Sequence, residues 1–150
     1  MKHLLGMGTL LLAVALARPA SAQQWEGRLG FHLGFSAGVA YHLAEPTKPH
    51  ASFSADYSSF VLEAVALMVN YHSTNPKSRL GFRAGAGAIW VGSGDFDELG
   101  SDLGWFFGAD LGLTYRTGAK NYLDFGASGL WGDNGVLVVP YLRWGFFFGG

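Results

Sequence analysis

Asn70, His72 and Ser73 bring an amide, a base and a hydroxyl into one short stretch. That is the residue set for activating a serine nucleophile. On an extended chain, however, adjacent side chains point to opposite faces, so His72 and Ser73 are not expected to bond as base and nucleophile, and no catalytic residue is expected. Metal chemistry fares no better on spacing. His32 and His42 share a parity but stand about 33 Å apart along a strand, and His50 falls outside their segment. The run GSGDFDELGSD (92–102) clusters Asp95, Asp97, Glu98 and Asp102 without a base. It lacks the twelve-residue calcium loop with its terminal bidentate glutamate, so a solvated acidic loop is expected, with no metal and no cofactor.

Four further charges, Arg83, Asp110, Asp124 and Arg143, stand out because each sits inside a regularly alternating block. LGFHLGFSAGVAYHL (29–43) puts Leu, Phe, Val and Tyr on odd positions and Gly, His, Ser and Ala on even ones. RLGFRAGAGAIWV (79–91), LGWFFGADLGLTYR (103–116), NYLDFGASGLW (121–131) and VLVVPYLRWGFFF (136–148) alternate in the same way. A period of two is the signature of strands with one apolar and one polar face. STNPKS (73–78), TGAK (117–120) and GDNG (132–135) are turn signals, as is the acidic run, so the blocks read as an antiparallel up-and-down meander. Residues 51–72 read either as one long strand or as two that turn near Tyr57-Ser58-Ser59. Glu63 lies in that region and is a possible further member of the charged set.

The first residues carry Lys2, an apolar run from Leu4 to Leu16 and the small-residue stretch Ala20-Ser21-Ala22, which reads as a secretory signal peptide over 1–22 and a mature domain over 23–150. Lys2 and Arg18 leave with it, so 10 bases become 8 against 11 acids, and the net charge moves from −1 to −3. No basic stripe exists to bind nucleic acid. With no cysteine, neither disulfides nor thiolate sites hold the chain together. Only 14% of residues are charged while 49% are hydrophobic and 23 are glycine. An average domain has roughly 25% charged residues, so this chain is short of the charge needed to cover a water-facing surface.

The apolar rows therefore have to face something other than water. An eight-stranded barrel interior is only just filled by side chains, and rows of Phe, Leu, Trp and Tyr would overpack it. Pointed outward they form a band for lipid, with Trp90, Tyr115 and Trp131 near block ends at headgroup level. Arg83, Asp110, Asp124 and Arg143 then share the lumen with His32 as a structural ionic network that plugs the barrel, since each buried charge costs several kcal/mol unless paired. Closure also removes every unpaired strand edge.

Taken together the blocks resemble the small eight-stranded outer-membrane barrels of the OmpA and OmpX type, and the resemblance spans the whole mature chain as a pattern. Arg143, Gly145 and Phe148 match the last-strand signature read by the outer-membrane assembly machinery, while Gly150 departs from it. The resemblance implies an all-β transmembrane barrel of eight strands in the bacterial outer membrane. The implied protein is monomeric and non-enzymatic, structural or surface-interacting through its loops, and its partners are outer-membrane lipid and the assembly machinery. The alternative is a soluble periplasmic or secreted lipocalin-like barrel with the parity reversed, holding an apolar ligand inside.

Overall fold

The computed structural model describes residues 24–59, 62–93, 104–132 and 135–148. The expected signal peptide, the acidic residues Asp95, Asp97, Glu98 and Asp102, and Gly150 lie outside the described residues. Eight strands, β1 (Gln24–Phe31), β2 (Phe35–His42), β3 (His50–Ser59), β4 (Leu62–Ser73), β5 (Leu80–Ser93), β6 (Gly104–Arg116), β7 (Asn121–Gly132) and β8 (Gly135–Phe148), follow in order around a closed barrel. All neighbours are antiparallel, and β1 closes on β8 with Trp25 opposite Phe148 and Phe31 opposite Leu142.

Residues 29–43 do not form the single strand their alternation implies. They are a hairpin in which Phe31 pairs with Phe35 around His32-Leu33-Gly34. Leu33 takes the left-handed conformation (φ 57°) and Gly34 a φ of 131° that only glycine adopts readily. A connection over 32–34 keeps odd residues on the same face before and after the turn, so the alternation runs through it unbroken and conceals it. The second ambiguous region, 51–72, divides into two strands. Its turn falls after Ser59, beyond the Tyr57-Ser58-Ser59 expected from sequence.

The apolar rows point outward. On β6, Trp105 and Leu111 are each 61% exposed, while Asp110 between them in the alternation is 2% exposed. Phe31, Phe35, Phe53, Phe82, Phe107, Phe125, Leu142 and Trp144 are exposed on the other strands. Trp90 pairs across β5 and β6 with Trp105, and Trp131 meets Phe107 at 5.8 Å, so aromatic rings gather toward one end. This geometry contradicts the reversed parity that a lipocalin-like soluble barrel requires.

One end of the barrel holds the connections 43–49, 74–79 and 117–120, together with the start of β1 and the finish of β8. The other end holds the turn 32–34, the finishes of β3, β5 and β7 and the starts of β4, β6 and β8. The first is called the near end below and the second the far end.

Candidate functional site

The lumen has three layers. At the far end Ala64, Ala66, Met68, Ile89, Val91 and Leu130 pack together, with Leu33, Phe106 and Val139 against them. The expectation that large apolar groups would overpack the interior thus fails for this layer. The reason is local: Gly108 stands against the Ile89 side chain and Gly132 against the Phe106 ring, where an added Cβ would clash. A glycine on the neighbouring strand makes the room that a large side chain fills.

Below that plug lies a belt of charge. Asp110 on β6 accepts hydrogen bonds from Arg83 Nη2 at 3.1 Å, Arg143 Nη2 at 3.0 Å and Ser128 Oγ at 2.6 Å. Arg83 Nη2 also stands 3.1 Å from Asp124 Oδ2, though without hydrogen-bond alignment, and Arg83 Nη1 donates to Asn70 Oδ1 at 3.3 Å. Asn70 in turn donates to Ser54 Oγ at 3.0 Å. Arg28 Nη2 donates to Asp56 Oδ2 at 2.7 Å, and Arg143 Nη1 lies 3.7 Å from the same oxygen. Both Arg143, at 4.1 Å, and Arg83, at 5.1 Å, lie over the Tyr141 ring. Gly112 and Gly126 leave space for that ring, since a Cβ at either would strike its hydroxyl.

The structure brings Arg83, Asp110, Asp124 and Arg143 together as side chains of one buried layer. It places the fifth expected member differently. His32 is buried in the β1–β2 turn, edge-on to Tyr141 at 5.9 Å, and its Nε2 has no hydrogen-bond partner, so it stands beside the ionic belt instead of bridging within it. Glu63 is excluded outright: it faces outward, where its carboxylate accepts a hydrogen bond from the Tyr57 hydroxyl at 3.1 Å. Of the last-strand signature, Arg143 and Gly145 point inward, Gly145 against the Tyr122 ring, and Phe148 points outward.

The third layer, at the near end, was not foreseen from spacing. His42, His50 and His72 converge there, each offering a ring nitrogen within 4.8 Å of the others. His42 Nδ1 and His50 Nε2 are 2.6 Å apart, and the His50 and His72 rings stack at 4.6 Å with an interplanar angle of 5°. Around them, His42 Nε2 meets Glu26 Oε2 at 2.5 Å, His50 Nδ1 meets the Lys48 carbonyl at 2.6 Å, and Tyr122 donates its hydroxyl hydrogen to Glu26. Arg28 Nε lies 3.3 Å from the same glutamate. A pocket of about 60 Å³ joins these histidines to turn residues including Thr47, Asn75 and Arg79.

The serine next in sequence to His72 takes no part. Ser73 points away, as alternation requires, and His72 Nε2 instead meets Ser52 Oγ across the strand pair at 2.9 Å. Ser52 is 1% exposed, so an ester or acyl substrate has no approach to its hydroxyl.

No family model matches the chain, and no curated protein matches it in sequence. Solved structures do match in fold. The N-terminal β-barrel domain of Pseudomonas aeruginosa OprF superposes with a TM-score of 0.59 at 17% identity, covering 87% of this chain and 100% of that one. A de novo designed transmembrane β-barrel gives 0.52 at 12% identity over 87% of this chain and 98% of that one. A second design, TMB2.3, solved by solution NMR, gives 0.50 at 10% identity over 90% and 100%. The fold is thus the closed eight-stranded antiparallel barrel of the OmpA/OmpX type.

Proposed function

We propose that this protein is an integral outer-membrane barrel with a sealed lumen, a structural element of the envelope that neither conducts nor catalyses. One observation carries the reading: among the described residues the outward face is apolar along the middle of every strand, with Glu63 near a strand end, while the inward face is closed by three successive layers. Water could not solvate the first face, and ions have no path through the second. The far-end plug is apolar, and the belt below it spends its charges on one another, so an ion entering it would have to replace existing pairs. The connection 94–103 is the longest between strands, which by the usual asymmetry of such barrels assigns the far end to the outer surface and the near end to the periplasm. Lipid is then the partner of the apolar face, and Arg143, Gly145 and Phe148 on β8 are the residues offered to the assembly machinery. Between the strands that meet at that end the chain has three residues at 32–34, two at 60–61 and two at 133–134 but ten at 94–103, so 94–103 is the sequence we assign to an external partner.

The mature chain is expected to sediment with outer membranes, to require detergent on extraction, and to give no stepwise conductance when reconstituted in planar bilayers. Monodisperse protein in plain buffer would remove the membrane reading. Reproducible single-channel steps would remove the sealed lumen and leave the membrane reading intact.

A further inference from the structure

We infer that His42, His50 and His72 form a binding site for one divalent late-transition-metal ion, of which Zn²⁺ is the appropriate probe. The hydrogen bonds around the rings determine which nitrogens are free. A backbone carbonyl only accepts, so His50 Nδ1, 2.6 Å from the Lys48 oxygen, carries the hydrogen. The Glu26 carboxylate, held by Arg28 and by the Tyr122 hydroxyl, likewise makes His42 Nε2 the donor at 2.5 Å. In neutral rings the lone pairs are then on His50 Nε2 and His42 Nδ1, and these are the two atoms 2.6 Å apart. Two lone pairs do not meet at that distance unless a cation holds them.

A shared proton would satisfy the pair, but it gives no role to the third ring. A metal ion does. Histidines that bind metals characteristically donate their other ring N–H to a carboxylate or a backbone carbonyl, and here His42 has the one and His50 the other. A tetrahedral ion with Zn–N bonds of about 2.0–2.1 Å wants its donor nitrogens about 3.3 Å apart. The nitrogens stand between 2.6 Å and 4.8 Å, so modest ring rotations close the set around an ion. Charge points the same way. Among the described residues the buried carboxylates are Glu26, Asp56, Asp110 and Asp124, against the three guanidinium groups of Arg28, Arg83 and Arg143, which leaves the interior short of positive charge.

The near-end pocket leads from the histidines to exposed turn residues, so an ion reaches the site without crossing the ionic belt. Arg79 and Arg116 line the same pocket, an arrangement that leaves the fourth coordination position to water or an anion. The inference stands on the interior of the barrel and is independent of which membrane, if any, surrounds it.

The test uses the untagged mature chain, folded in detergent and stripped with a chelator, then titrated with ZnCl₂ by calorimetry. One ion per chain is expected. His50→Gln and His72→Gln should each weaken binding by at least about 100-fold, and Glu26→Gln, which takes the negative charge off the group that accepts from His42 Nε2–H, by about 10–100-fold. His32→Gln, in the far-end turn, should leave affinity unchanged. Far-UV circular dichroism and heat-dependent electrophoretic mobility check that each variant is folded. Should a histidine variant fail to fold, Co²⁺ added to the wild-type protein decides: intense visible d–d bands of a four-coordinate site support the inference, and weak octahedral-type bands overturn it. Absence of stoichiometric Zn²⁺ binding, or binding that survives His72→Gln, also overturns it.

Discussion

Replacing Arg143 with methionine is expected to destabilise the folded barrel by about 3–5 kcal/mol, the cost typical of removing one partner from a buried ion pair. Arg143 donates to Asp110 at 3.0 Å and lies 3.7 Å from Asp56, and its side chain is 2% exposed, so its loss takes a cation from two buried carboxylates. The belt would be left with Asp56, Asp110 and Asp124 facing a smaller set of cations. Adding Asp110→Asn should therefore return a large part of the loss, because a neutral pair is better than a stranded carboxylate. Urea unfolding in lipid vesicles, followed by tryptophan fluorescence, gives the four corners of the cycle. A coupling of about 1–3 kcal/mol between the two sites is expected, and additivity within about 0.5 kcal/mol would show that Arg143 and Asp110 do not act as a pair.

The second large effect belongs to the outer face. Leu111 is 61% exposed on β6, next to Asp110 and hence level with the ionic belt midway along the barrel. Arginine there should cost about 2–4 kcal/mol in a bilayer, the penalty for a cation at the midplane. Val136, equally outward but at the far end of β8, should tolerate arginine at a cost of about 0–1 kcal/mol. The contrast between the two positions matters more than either value. Equal costs at Leu111 and Val136 would mean that the outer surface has no depth profile and does not sit in lipid.

The outward rows and the four charges Arg83, Asp110, Asp124 and Arg143 were legible because side-chain parity is a local property of the chain. Other charges of the interior left weaker traces. Glu26 and Arg28 share one parity just ahead of Leu29, and a block begun at Leu29 misses them. Asp56 continues a polar series of every second residue through His50, Ser52, Ser54 and Ser58, which is the same signal without the aromatic contrast that made the other blocks plain. The hairpin at His32-Leu33-Gly34 was hidden because its short connection preserves parity.

The histidine layer was illegible for a different reason. His42, His50 and His72 come from three strands and meet only because the register sets His50 opposite His72 and His42 opposite Ser52. Register across a sheet depends on where each connection falls: His42 meets Ser52 through the β2–β3 connection 43–49, which no alternating block marked, and His50 meets His72 through the division of 51–72, which the sequence left open. The apolar far-end plug escaped notice because it depends on glycines of one strand facing large residues of another, a relation between strands that no single segment displays.

Even and odd residues of one strand live in different media, and β6 offers the clearest measurement of that difference. The chain has no cysteine, so single cysteines can be placed at each position from Trp105 to Tyr115 and labelled with a nitroxide in lipid vesicles. Oxygen accessibility, read by power saturation, should be high at positions 105, 107, 109, 111, 113 and 115 and low at 106, 108, 110, 112 and 114, with a period of two along the strand. Uniform accessibility along β6 would mean that both faces share one medium, and maxima at the even positions would mean that the polar face is the one in lipid.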